Sequence, residues 1–201
     1  MGGQMRSRRW WPAGTFVGRL LIVIGMILLG TACAARGTAP TRVAKGETAM
    51  SFMLESPAFD EGGQIPTRFT CDGQNVSPPL RWEGEPDNTQ SFALIVDDPD
   101  APRRTFTHWV LFDVPASLSE LAEGTQAGDV GTAGTNDFGK VGYGGPCPPP
   151  SHGPHRYFFT LYALDQPALG LTRGAGRDAV ERAITGHTLA RAQLMGRHER
   201  Q

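Results

Sequence analysis

Ser91–Val114 reads SFALIVDDPDAPRRTFTHWVLFDV, and the fold follows from its pattern. Two apolar runs, Phe92–Val96 and Val110–Phe112, have the length and residue content of buried strands. Between them lies Asp97-Asp98-Pro99-Asp100-Ala101-Pro102. Three carboxylates so close together repel one another, so they must face water, a cation or hydrogen-bond donors. The two prolines fix φ and exclude helix, which holds the aspartates on a rigid corner. His108 then enters the second strand beside Trp109. This window alone describes either a polar hairpin turn with a core histidine or the wall of a pocket.

The flanking segments extend the β pattern. Ser51–Leu54 and Leu80–Trp82 read as short strands, and Ile65–Thr70 as an edge strand, because Pro66 cannot donate to a ladder. Arg156–Leu164 (RYFFTLYAL) alternates as a half-buried central strand, and Leu189–Leu194 suggests a last one. Arg177–Ile184 is the one clear helix, with Ala179, Val180, Ala183 and Ile184 on one face and Gly186 as its stop. Pro115–Gly131 is polar, glycine-broken and expected on the surface. Thr132–Pro150 is too rich in glycine and proline for regular structure, yet Phe138, Val141 and Tyr143 give it something to bury. It is expected to be an ordered loop lining a site. With 26 glycines and 16 prolines in 201 residues, the fold class is mainly β, a β-rich α+β domain with one or two short helices and long Gly/Pro loops.

Residues 1–32 read as a signal peptide. Arg6–Arg9 is basic, Leu20–Leu29 is apolar but too short to span a bilayer, and Thr31–Ala35 supplies small residues for cleavage. Cys33 is placed like the modified cysteine of bacterial lipoproteins, which would anchor the exported chain to a membrane of the cell envelope. Ordinary cleavage nearby or an uncleaved anchor are the alternatives. Residues 33–50 read as a flexible tether and 51–201 as one domain. Four of the 19 basic residues lie in the leader, which has no acid, so the remainder carries a net charge of −5. That balance, with no basic stripe, excludes nucleic acid as a partner. Cys71 and Cys147 sit in turn-rich loops. In an exported chain they invite a disulfide, with two buried thiols as the alternative. No cysteine-spacing zinc motif, phosphate-loop pattern or Gly-x-Ser-x-Gly nucleophile motif is present, and no cofactor is implied.

Seven pieces, in order, resemble the phosphatidylethanolamine-binding protein family, in its bacterial and archaeal Raf-kinase-inhibitor-like branch. They are Thr70-Cys71-Asp72-Gly73, Asn75–Pro79, Asp98-Pro99-Asp100-Ala101-Pro102, His108-Trp109, Asn136-Asp137-Phe138-Gly139, Gly142–Pro149 and His155-Arg156-Tyr157. The resemblance spans roughly Ser51 to Arg200. It implies a central β-sheet sandwich with a small anion pocket at one end. The family's pocket residues fall on Asp98, Asp100, His108, Pro148, Pro149, His155 and Tyr157. Imidazoles and a phenol can donate to phosphate oxygens, and an aspartate can orient a histidine or meet an ammonium. The expected function is non-catalytic binding of a phosphate-type anion or phospholipid head group, or engagement and inhibition of a partner protein. The alternative is a metal- or acid–base-dependent hydrolase using the same Asp/His set. One departure stands out. Pro150-Ser151-His152 precedes Gly153 where the branch runs almost directly from Pro-Pro to Gly, and His152 is expected to be a solvated loop histidine.

Overall fold

The computed structural model describes residues 51–201, so the leader, the tether and Cys33 lie outside the described residues. Eight strands and one helix form two antiparallel sheets. The strands are β1 (Met53–Glu55), β2 (Leu80–Glu83), β3 (Ser91–Asp98), β4 (Phe106–Pro115), β5 (Glu120–Leu121), β6 (Thr132–Ala133), β7 (His155–Leu164) and β8 (Thr188–His198). The helix, α1, is Arg177–Ile184, as the sequence pattern predicts. The small sheet has the order β1-β2-β5 and the large one β6-β4-β3-β7-β8.

The centre of the large sheet, β3 and β4, is buried on both faces, which explains the continuous apolar run of β3. Phe92, Leu94 and Val96 point toward the small sheet, with Trp109, Leu111, Tyr157, Phe159 and Leu161 from the neighbouring strands. Ala93 and Ile95 point the other way, with Val110 and Phe112, and meet Val180 and Ile184 of α1. Those two helix residues lie four apart on one face, and burying them contributes about 3–5 kcal/mol. Asp178 in the first helical turn and Arg182 in the last match the helix dipole.

Several elements differ from the sequence reading, among them β6, which forms at the start of the Thr132–Pro150 segment expected to lack regular structure because Thr132 and Ala133 pair with the edge of β4. Ile65–Thr70 is not an edge strand, because Thr67–Phe69 form a 3-10 turn. The Pro66 carbonyl accepts from Phe69 N at 2.9 Å, and that of Thr67 accepts from Thr70 N at 3.0 Å. The turn buries the adjacent Phe69 and Thr70 together with Ile65 while exposing Thr67, whereas strand alternation would put Ile65, Thr67 and Phe69 on one face. The last strand runs on to His198, and Pro115–Gly131 contributes the short β5. Cys71 and Cys147 form a disulfide across 76 residues, with Cα atoms 5.4 Å apart.

Candidate ligand-binding site

A cavity of about 200 Å³ opens at the end of the large sheet where β3, β4 and β7 meet. Asp98 ends β3, His108 lies near the start of β4, and His155 begins β7. Ala101 and Pro102 of the acidic corner, Phe106, Phe138, Cys147, Pro148 and Pro149 complete the lining.

His108 reaches the cavity through a β-bulge. Val96 pairs with Trp109 and Asp97 with Thr107, so β4 carries one extra residue there, His108. Thr107 points to the α1 side, where its Oγ1 donates to Asp97 at 2.9 Å, and Asp97 in turn pairs with Arg177. Trp109 and His108 both point to the opposite side. Trp109 packs in the inter-sheet core, and the His108 ring meets the Tyr157 ring edge-on at 5.1 Å. Without the extra residue, two consecutive side chains could not share a face.

The glycine loop clamps this imidazole. Gly144 N donates to the His108 carbonyl at 2.9 Å, and His108 Nδ1 donates to the Gly144 carbonyl at 2.8 Å. The approach requires glycine, since a Cβ on residue 144 would lie 2.5 Å from the Phe138 ring. Burial holds the His108 pKa below its ordinary value, although its carbonyl contacts and the Asp98 charge oppose the shift. The ring is therefore neutral at pH 7, with its proton on Nδ1. Nε2, with no hydrogen-bond partner among the described residues, is the nitrogen left to a ligand.

Asp98 and His155 form the floor. Both are buried, and His155 Nδ1 donates to Asp98 Oδ2 at 2.7 Å. Asp98 Oδ1 accepts from Asp100 N at 2.8 Å, which closes the acidic corner on itself. His155 Nε2 lies 2.7 Å from His152 Nδ1, so one proton bridges two imidazoles. His152 is exposed, as the sequence predicts, but it is engaged rather than free.

The remaining sequence-predicted residues divide. Pro148 and Pro149 line the cavity. Tyr157 lies beneath it, fully buried, and its Oη has no hydrogen-bond partner. Burial, reinforced by the Asp98 charge, pushes that phenol far above its usual pKa, so it stays protonated. Asp100 turns outward and does not line the cavity. Its carboxylate takes Arg156 Nε at 2.9 Å, a second Arg156 nitrogen at 2.7 Å and the Arg156 backbone N at 2.9 Å. That arginine holds the Asp100 carboxyl down to about 2.

Phe106 and Phe138 were not assigned to the site from sequence. They pack at 4.8 Å and form an aromatic wall with His108. The signal was present for Phe106, two residues before His108 on the same strand. Phe138 is presented by a loop that Asn136 builds, its Oδ1 accepting from the N–H groups of Phe138 and Lys140. The cavity lining offers no cluster suited to a metal, and among the described residues no group of three or more such ligands occurs.

A two-sheet domain with one small polar-floored, aromatic-walled cavity at its strand ends has the form of a small-ligand binding protein. Comparison with known proteins specifies the class. The family model for phosphatidylethanolamine-binding protein matches residues 55–199. A UPF0098 protein of Aquifex aeolicus is 50% identical over 148 residues, covering 72% of this chain and 86% of the relative. A UPF0098 protein of Methanothermobacter thermautotrophicus is 50% identical over 151 residues, covering 73% and 98%. The crystal structure of CT736, a phosphatidylethanolamine-binding protein homologue of Chlamydia trachomatis, superposes with a TM-score of 0.70 at 38% identity, covering 75% of this chain and 99% of that one. E. coli YbcL, described as a new member of the mammalian PEBP family, gives 0.70 at 32% identity over the same shares. The chain belongs to the phosphatidylethanolamine-binding protein family.

Proposed function

We propose that the domain binds a small phosphate-type ligand, free or as a phospholipid head group, in the Asp98–His108–His155 cavity without turning it over. The observation that carries this reading is the pairing of a buried carboxylate–imidazole floor with a neutral imidazole whose Nε2 is unpaired. Size supports a head group. About 200 Å³ holds roughly seven water-sized units, at about 30 Å³ each, which suits phosphoethanolamine with any acyl chains outside. The lining has no serine or threonine, and its cysteine is held in a disulfide, so no hydroxyl or thiol nucleophile is available there.

The protonation state of His108 makes the reading specific. At neutral pH its Nε2 accepts a hydrogen bond, so the favoured ligand brings a donor. The ammonium of an ethanolamine group or the O–H of a monoprotonated phosphate would serve. As pH falls below the lowered pKa, the ring becomes a cation and donates to an oxyanion instead. Between pH 8 and 5, affinity for inorganic phosphate is therefore expected to rise only in the lower part, below the ordinary histidine value of 6.5, with phosphoethanolamine preferred above it.

Calorimetric titration with both compounds across that range, with NMR of the His108 and His155 rings, tests the proposal. The absence of any ring shift at millimolar ligand would count against it. Release of inorganic phosphate from phosphoethanolamine would replace it with acid–base hydrolysis.

We propose that this binding takes place at the cell envelope: the basic-then-apolar pattern of residues 1–32 supports export, with Cys33 as the residue that would carry a lipid and hold the domain at a membrane. A protein partner inhibited through the same cavity mouth is the second arm of this role. Mass spectrometry of the mature N-terminus tests the export step.

A further inference from the structure

His155 has two ring nitrogens, and the protein uses both. Nδ1 is bound to Asp98 and Nε2 to His152, each at 2.7 Å. His155 nonetheless lines the cavity, whereas His152 does not. A ligand can hydrogen-bond His155 only at Nε2, because the Asp98 bond at Nδ1 is buried on both sides. We propose that His152 is an internal competitor that occupies the ligand's position on His155 and sets the affinity of the cavity. This inference rests on reading the cavity as a site for a small phosphate-type ligand; because Nδ1–H is given to Asp98, Nε2 is the ring's acceptor, and the ligand group that competes for it is a P–O–H or an ammonium N–H.

The local structure supports displacement of the ring rather than of the chain. His152 N donates to the Pro149 carbonyl at 3.2 Å, closing a turn with Pro150 and Ser151 at its centre. Ser151 has φ +61°, the left-handed region where glycine is the ordinary residue. The turn is further pinned by Ser151 N donating to the Arg200 carbonyl at 3.2 Å. A non-glycine residue keeps such a conformation only where its surroundings fix it. The backbone thus presents His152 at one place, on an exposed loop, where its ring can rotate into water at small cost. The ring's hold on His155 is one hydrogen bond and an edge-on contact with centroids 5.0 Å apart. The segment that carries it is the Pro150-Ser151-His152 departure noted in the sequence, so the competitor is a property of this chain's own loop.

The test compares the full chain with its His152→Ala and His155→Ala variants, using inorganic phosphate and phosphoethanolamine as separate probes. Removing the competitor frees one hydrogen bond, so His152→Ala is expected to tighten the Kd about fivefold, and His155→Ala to lose binding. A gain with both probes assigns the position to the phosphate oxygens. A gain with phosphoethanolamine alone assigns it to the head group. Equal Kd values in wild type and His152→Ala would overturn the inference and leave the binding reading intact. Weaker binding would overturn it too, by making His152 a ligand contact. Without ligand, the His155 Nε2 resonance must move in His152→Ala, and an unchanged resonance also sinks the proposal. Loss of ring response to both probes in all three proteins would instead remove the ligand site itself.

Discussion

Asp98→Ala tests whether one buried carboxylate organises the cavity floor. The side chain accepts from His155 Nδ1 at 2.7 Å and from Asp100 N at 2.8 Å. Alanine leaves both donors without a partner. Asp100 N lies in a partly exposed turn that water reaches, so its loss costs about 1 kcal/mol, whereas the enclosed His155 N–H costs about 2 kcal/mol. The sum, about 3 kcal/mol, lowers the Tm of a domain this size by roughly 6–12 °C. Pairing the change with His155→Ala isolates the mutual part. In that background only the turn donor is orphaned, so the coupling energy is expected near 2 kcal/mol. Urea denaturation of wild type, both single variants and the double variant at pH 7 measures it. Asp98→Asn keeps one acceptor oxygen and should fall between. A coupling below about 0.5 kcal/mol would show that the 2.7 Å contact does not bind floor and strand together, and the reasoning about the floor would fail.

Three further outcomes are expected. Reducing the Cys71–Cys147 bond releases a constraint across 76 residues, worth about 4 kcal/mol by loop-closure entropy; thermal melts with and without a thiol reductant should differ by at least 8 °C, and a shift under 3 °C would contradict the account. The Asp100–Arg156 pair lowers the Asp100 pKa from 3.8 to about 2, so its stabilisation is present above pH 4 and fades as pH falls toward 2. Because half of the arginine side chain is exposed, solvent screens the pair, and urea midpoints of Asp100→Asn and wild type should differ at pH 7 but converge as pH falls below 2. Gly196 on β8 faces Ile65, and a Cβ there would lie 2.5 Å from Ile65 Cγ1, so Gly196→Ala should cost about 1–3 kcal/mol; an unchanged melt would mean the 3-10 segment yields freely.

The strands that set the architecture were legible because burial writes itself into apolar runs. β3 and β7 announced themselves through Phe92–Val96 and Arg156–Leu164, and α1 through its four-residue spacing and the glycine beyond it. Ile65–Thr70 misled because proline signals both an edge strand and the opening of a turn, and the choice rested on tertiary burial of the adjacent Phe69 and Thr70 with Thr67 left exposed. β5 and β6, two residues each, are too short to carry a period at all. Motif resemblance named the candidate residues, but it did not give their places around the cavity. Asp98 and Asp100 look equivalent in Asp-Pro-Asp, yet Asp98 is the last residue of β3 and faces the cavity, whereas Asp100 lies beyond the strand end, at the corner beside Arg156. His152 looked solvated because nothing in a local pattern reports a hydrogen bond to a ring three residues away.

The bulge at His108 shows why the site needed coordinates. Period-two alternation assigns His108 and Trp109 to opposite faces, which would put the imidazole under α1, beside Asp97 and Arg177. There it could not meet His155. One extra residue in β4 turns both side chains to the same side, with Trp109 in the core and His108 at its rim. The bulge is held by the reciprocal bonds of Gly144, and Gly144 is itself held because Gly145 N donates to Asn75 Oδ1 at 2.7 Å and Cys71 N to the Pro146 carbonyl at 3.0 Å. The glycine loop and the disulfide-linked loop therefore act on the site through one histidine. Loosening either should shift His108 before it unfolds the sheet, because the sheet's own pairing on both sides of the bulge continues without it.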